Sequence, residues 1–235
     1  MKFLPNLAAD KIKTWRENPS IFVREVLRAT PDPWQDEILK IFPYNQRIAL
    51  CASKGPGKSS LLSWLAWNFL LTRPSPKIAA TSISGDNLRD GLWTEMAKWR
   101  ENSPILKELF VWQKERIFLK ESPETWWMSA RQWSKSADPN SLGNTLAGLH
   151  ADYIMFELDE AGGMPDAIMA SAEAALSSCK EGHIVIAGNP THLEGPLFRA
   201  CKTGERGMWY VKEISSDPDD PVRSPRVSIQ WQRNK

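Results

Sequence analysis

Three stretches of this chain are almost wholly apolar: Arg47-Ile48-Ala49-Leu50-Cys51, Tyr153-Ile154-Met155-Phe156-Glu157-Leu158 and His183-Ile184-Val185-Ile186-Ala187-Gly188. Runs of that length predict strands buried on both faces, as in a parallel sheet covered by helices. Lys77–Thr81 and Trp209–Val211 predict two more strands, and Phe110–Ala130 strands with turns. Apolar residues at helical spacing predict helices over Ser59–Leu71, Asp86–Asn102 and Pro165–Ser177. Residues 5–42 read as short helices broken at Asn18-Pro19 and Pro31-Asp32-Pro33. Strand, helix and strand between Tyr153 and Gly188 form a βαβ unit, so the expected class is α/β.

Candidate chemistry sits where the first buried strand meets its helix. Ala52-Ser53-Lys54-Gly55-Pro56-Gly57-Lys58-Ser59 ends in the Gly-Lys-Ser of a phosphate-binding loop. Backbone N–H groups around Gly55 and Gly57 can converge on phosphate oxygens where no side chain obstructs, and the helix after them points its positive end at the same anion. Lys58 would neutralise the β and γ oxygens, the Ser59 hydroxyl would complete a Mg2+ shell, and Ser60 is a further phosphate donor. The loop is a variant: Ala52 replaces the usual first glycine, and Pro56 removes one N–H. A plain Gly/Pro turn between strand and helix is the bland alternative.

The second buried strand runs into Asp159-Glu160. Successive strand residues face opposite sides, so the two carboxylates have different jobs. Asp159 would hold Mg2+ through water, and Glu160 would orient and deprotonate the water attacking the γ-phosphate. Glu157, inside a buried strand, needs a partner and is either structural or a supporting ligand. The third strand ends in Asn189-Pro190-Thr191, which brings Asn189 to the carboxyl edge of the sheet if the two strands are neighbours. There it could sense the γ-phosphate, or simply open an Asn-Pro turn.

With these segments placed, the chain resembles the ATPase domain of the large terminase subunit, the DNA-packaging motor of tailed bacteriophages. The resemblance runs over roughly residues 20 to 215, through Pro33-Trp34-Gln35, Ala52 to Ser60, Leu146 to His150 running into Asp159-Glu160-Ala161-Gly162, and Gly188-Asn189-Pro190-Thr191 with Glu194-Gly195-Pro196. It implies a P-loop NTPase of RecA/ASCE-like type, with a mainly parallel sheet, flanking helices and a small N-terminal helical lid. ATP and Mg2+ are the implied cofactors. Ser53 to Ser60 would cradle the phosphates, Gln35 would read the adenine with Trp34 packed near it, and Lys54 would reach the γ-phosphate where the family usually has Arg. Asn189 and Thr191 look like the motif coupling hydrolysis to DNA movement. Where some relatives carry a basic residue that acts on a neighbouring subunit, this chain has Ala147, so Arg131 is the substitute, with Arg73 and Lys135 behind it. The implied partners are double-stranded DNA, portal protein, the small terminase subunit and further copies of the chain in a ring, in the host cytoplasm and at the procapsid portal vertex. The other readings are an oligomeric P-loop DNA motor such as a helicase or translocase, and a nucleotide-switched assembly module.

Composition alters this picture little. The length suits one α/β domain, divided here into a helical adenine-side region (1–45), a P-loop ATPase core (46–215) and a linker (216–235) toward a nuclease domain. Ser215 to Pro225 has the Pro-rich turns of a linker, and the ten residues after it cannot carry an acidic two-metal cluster, so no nuclease activity is expected from this fragment. Net charge is only +2, which neither supports nor excludes a basic DNA channel. Cys51, Cys179 and Cys201 lack metal-ligand spacing and read as reduced thiols; His150, His183 and His192 read as packed or loop residues. No stretch is long enough for a signal peptide or membrane span. Of the twelve tryptophans, Trp64 and Trp67 read as core, and packing is favoured over base stacking for Trp126, Trp127 and Trp133.

Overall fold

The computed structural model describes residues 9–133, 144–146, 149–202, 207–217, 219–220 and 223–233. Its centre is an eight-stranded sheet: β1 (Arg47–Ala52), β2 (Lys77–Ser82), β3 (Phe110–Trp112), β4 (Arg116–Leu119), β5 (Trp127–Ala130), β6 (Tyr153–Asp159), β7 (Glu181–Gly188) and β8 (Tyr210–Ile214). The order is β3-β4-β5-β2-β6-β7-β1-β8; from β5 to β8 all neighbours are parallel, and β3 and β4 add an antiparallel edge. This is a mainly parallel α/β sheet. β7 lies between β1 and β6, in parallel register with both, so Asn189 leaves the sheet at the same edge as the phosphate loop and the acidic pair.

Because both faces are covered, the alternating side chains of each strand enter two separate apolar layers. Ile48, Leu50, Ile78, Met155 and Val185 face α4 (Lys58–Thr72) and the N-terminal helices α1 (Ala9–Glu17), α2 (Pro19–Glu25) and α3 (Pro33–Ile41). Ala49, Ile154, Phe156, Leu158, Ile184 and Ile186 face the opposite layer, with Ile168 and Met169 of the helix Ala167–Leu176 and Leu197 of the helix Pro196–Lys202. α4 is apolar on nearly every side and correspondingly buried around its whole circumference. Trp64 and Trp67 lie inside it with about 1% exposure or less, so these tryptophans are core. Trp126 and Trp127 are buried too, and Trp133 donates its indole N–H to the Ser82 carbonyl.

The expected helix over Asp86–Asn102 is broken into α5 (Gly85–Leu88), a π turn (Arg89–Trp93) and α6 (Thr94–Asn102). The wider turn shifts the helical register at Gly91, and it does so beside the functional edge. The last strand runs Tyr210–Ile214, later than the expected Trp209–Val211. Among the described residues no helix is long and apolar enough to cross a membrane.

Candidate nucleotide site

β1 ends at Ala52 and α4 begins at Lys58, so the phosphate loop occupies the strand-to-helix turn its sequence implied. Gly55 and Gly57 have φ of +91° and +96°, a left-handed backbone that L side chains rarely adopt. Gly57 occupies the N-cap of α4, and no side chain caps that helix. Its first N–H groups therefore point outward with their partial positive charge, the arrangement that binds an anion.

Lys58 is buried and folds back across the loop, donating to the Ser53 carbonyl at 2.7 Å and the Ala52 carbonyl at 3.4 Å. Burial lowers its pKa; Glu160 and Asp159 oppose that, and the nearby charge of Lys54 adds to it. An ammonium held by two carbonyls exchanges readily for phosphate oxygens, which offer full negative charge. Lys54 itself is exposed on the loop.

Across the sheet, Ser59 Oγ donates to Asp159 Oδ2 at 3.1 Å, joining two residues one hundred positions apart. Asp159 is only 2% exposed, and its pKa is pushed up to about 6 by burial and by the charge of Glu160, against the Ser59 hydrogen bond and Lys58. A buried carboxylate short of compensating charge beside a hydroxyl fits Mg2+, which takes one or two protein oxygens and keeps its waters. A Cβ on Gly91 would lie 3.6 Å from Asp159 Oδ2 and 4.0 Å from Ser59 Oγ, so the π turn borders this corner with its one residue that has no side chain. Sequence reasoning misses Gly91. A glycine inside a helical pattern is its only signal, and that gives no hint of which contact needs it.

Glu160 follows at the end of β6 with φ 53° and ψ 39°, a left-handed conformation unusual for a non-glycine residue. Its N–H donates to Asp159 Oδ1 at 3.0 Å, and its charge acts on both Asp159 and Lys58. Glu157 lies on the α4 face with Asp159, fully buried, and neither of its oxygens has a hydrogen-bond partner among the described residues. Burial and, after it, the Asp159 charge hold its pKa well above the usual carboxylate range.

The turn after Asp159-Glu160 is packed tightly on the Asn189 edge. A Cβ on Gly162 would lie 2.0 Å from the Asn189 carbonyl, and one on Gly188 2.8 Å from the Gly162 nitrogen. Thr191 N–H donates to the Asn189 carbonyl at 2.8 Å, which tightens the turn. Asn189 thus packs its backbone carbonyl on the segment carrying Glu160, and Thr191 brings its side-chain Oγ1 to the same glycine.

Gln35 is placed differently from its expected role. Its side chain is fully buried, accepting the Asp32 N–H at 2.9 Å and donating to the Gly57 carbonyl at 3.0 Å. In this conformation it tethers the phosphate loop to the start of α3. Trp34 is 6% exposed, its indole N–H has no partner among the described residues, and it lines a cavity of about 470 Å³ with Lys212, Ile214, Arg223 and Pro225. Ser53 Oγ donates to Ser216 Oγ at 2.7 Å. Ser60 Oγ is taken by Glu95 of α6 at 2.9 Å, so its hydroxyl is committed to the helix layer rather than offered to phosphate.

Arg131 follows β5, half-buried, with Nε donating to Ser129 Oγ at 3.0 Å. Arg73 is no candidate for a neighbour's site: it is 1% exposed and paired with Glu181 at 2.6 Å, at the far end of a helix that rises about 22 Å. Lys135 and Ala147 lie outside the described residues. His150 and His192 are exposed, His192 lying beside Gly163 and Thr191 Oγ1, and His183 is packed between the Asn45 carbonyl and Glu181.

No family model matches the sequence. A probable terminase large subunit of Enterobacteria phage P7 is 24% identical over 225 residues, 88% of this chain and 44% of that protein. Among solved structures, the large terminase ATPase domain of Thermus phage P74-26, as an arginine-to-alanine mutant, matches with a TM-score of 0.63 at 18% identity, covering 85% of this chain and 87% of that one. The HK97 bacteriophage large terminase matches at 0.62 and 16%, over 88% of this chain and 45% of its own. The large terminase of a thermophilic bacteriophage, in complex with ADP, matches at 0.57 and 13%, over 93% and 50%. This chain, which spans less than half the length of the curated relative it matches, is similar in sequence to the large terminase subunit of tailed bacteriophages and has the fold of its ATPase domain.

Proposed function

We propose that this chain is the ATP-hydrolysing part of a viral DNA-packaging motor. The observation that carries the reading is the Ser59–Asp159 pair beside an uncapped α4 N-terminus, with Lys58 buried in the loop and Glu160 next to Asp159 in a left-handed turn. Phosphoryl transfer requires positioning and charge neutralisation, and these residues supply both. The loop N–H groups and Lys58 hold the β- and γ-phosphates, with Lys58 leaving the Ser53 carbonyl to do so. Ser59 and Asp159 would hold Mg2+, which when bound polarises the terminal phosphate and offsets its charge. Glu160 accepts the proton of the attacking water, and its rigid left-handed backbone fixes where that proton goes. The thermophilic-phage large terminase in complex with ADP supports nucleotide binding by this fold.

Hydrolysis would drive translocation of double-stranded DNA into a procapsid, through Asn189 and Thr191, whose turn abuts the catalytic segment. The proposed partners are DNA, portal protein, the small terminase subunit and other copies of the chain in a ring, with work done in the host cytoplasm at the portal vertex. Arg131 and Lys54 are the cations proposed to act on the γ-phosphate, Arg131 from a neighbouring copy. Residues 216–235 are proposed as the linker that leads out of the ATPase domain. The test is paired: Lys58→Ala should abolish ATP binding, whereas Glu160→Ala should bind ATP normally and fail to turn it over. Wild-type turnover by the Glu160 variant refutes the assignment.

A further inference from the structure

The segment after β8 contacts the phosphate loop along one side. Ser216 accepts from Ser53, and the Ser224 N–H donates to the Ser215 carbonyl at 2.9 Å, closing the segment on itself. Val227 is 6% exposed, with Cγ2 3.9 Å from where a Cβ on Gly55 would sit. Arg226 Cδ and Nε each lie 3.3 Å from the equivalent point on Gly57, and Nε donates to Asp32 Oδ2 at 2.6 Å. Arg226 thus reaches across 194 residues of sequence to the N-cap of α3, the helix that carries Trp34 and Gln35.

We infer that Arg226 is a nucleotide-binding residue that exchanges its Asp32 carboxylate for the α-phosphate end of the nucleotide. The inference rests on the ATP reading above. Lys58 with the Ser59–Asp159 pair marks the β/γ and metal side of the loop, and Gln35 and Asp32, at the start of α3, mark the side on which Gly57 faces the N-terminal helices. Arg226 stands on that second side. Only a glycine there lets Cδ and Nε of Arg226 lie so close to the loop backbone, and the Arg226 side chain is 40% exposed. A planar guanidinium matches phosphate oxygens with two parallel hydrogen bonds, whereas the Asp32 contact is an exposed ion pair of small net worth. Exchange is therefore favourable, and it gives the nucleotide a direct grip on the segment that leads away from the core.

The test is titration of the full chain with Mg-ADP, which avoids turnover, for wild type, Arg226→Ala, Arg226→Lys and Asp32→Asn. Arg226→Ala should raise the Kd for ADP about tenfold, the loss of one charge-assisted phosphate contact, and Arg226→Lys should recover part of it. Asp32→Asn keeps an oxygen for the α3 cap and releases Arg226, so its Kd should be unchanged or lower. An unchanged Kd for Arg226→Ala overturns the inference. So does a raised Kd for Asp32→Asn, because a purely structural ion pair makes both variants weaken binding together. If wild type itself binds no ADP, the ATP reading fails and not this assignment alone.

Discussion

Replacing Asp159 by Asn should stabilise the nucleotide-free protein while destroying its Mg2+-dependent activity. The side chain is buried, and its pKa lies at about 6 against an ordinary 3.8, raised by burial first and by Glu160 second. A carboxyl whose folded pKa is raised contributes stability that is complete below about pH 4 and is lost as pH rises through about 6. The difference of roughly two units corresponds to ~3 kcal/mol, an upper figure because water and counterions reach the open edge. The asparagine is isosteric with the native aspartate; its carbonyl still accepts the Glu160 N–H and its amide donates to Ser59 Oγ, so the hydrogen bonds at 3.0 and 3.1 Å survive with neutral partners. A net gain of ~1–3 kcal/mol follows, or a Tm raised by about 2–12 °C for a domain of this size. Thermal unfolding without Mg2+ or nucleotide at pH 7.5 measures it, and the gap between the two proteins should close at pH 4. A variant less stable than wild type at pH 7.5 refutes the reasoning, because Asp159 would then be compensated by the fold itself and would need no cation.

Other substitutions probe separate parts of the account. Glu181→Gln leaves Arg73 buried and unpaired, and should cost ~3–5 kcal/mol in urea unfolding. Burial alone would raise the Glu181 pKa, but hydrogen bonds and charge from His183 and Arg73 hold it below the usual range. Its contribution is therefore present above about pH 4.5 and lost in acid, so the variant should also flatten the acid limb of the stability curve. Gly162→Ala drives a methyl into the Asn189 carbonyl and should lower ATP turnover at least tenfold with ADP affinity retained, as read from steady-state kinetics beside a binding titration. Gly57→Ala forces a left-handed alanine against Gln35 Nε2 and should abolish ADP binding at a stability cost of ~1–2 kcal/mol.

What could be read from the sequence was whatever depends on short-range pattern. β1, β6 and β7 are continuous apolar runs because both faces of a parallel sheet are covered, and the phosphate loop and acidic pair follow from residue types at strand ends. What escaped depends on contacts between distant segments. Gln35 carries no local mark of bonding to Gly57, and residues 216–235 read as a linker although Ser216 and Arg226 contact the phosphate loop and Asp32. Arg73 reads as a free cation until the fold brings Glu181 beside it. The break at Arg89–Trp93 is invisible to a periodicity of 3.6, since the extra residue in a π turn shifts the apolar face only locally. Glu157 stands out in its strand as a carboxylate that needs a partner, and the structure gives it none among the described residues; burial and the Asp159 charge push its pKa up, toward the form that needs no counter-charge.

The central claim is that Glu160 activates water against a nucleotide held by the loop. Single-turnover hydrolysis, with protein in excess over radiolabelled Mg-ATP, measures this step even when an isolated subunit is slow. Wild type should convert the bound ATP to ADP and phosphate, and Glu160→Ala should bind the same ATP and leave it intact throughout. Equal conversion by the two proteins contradicts the account.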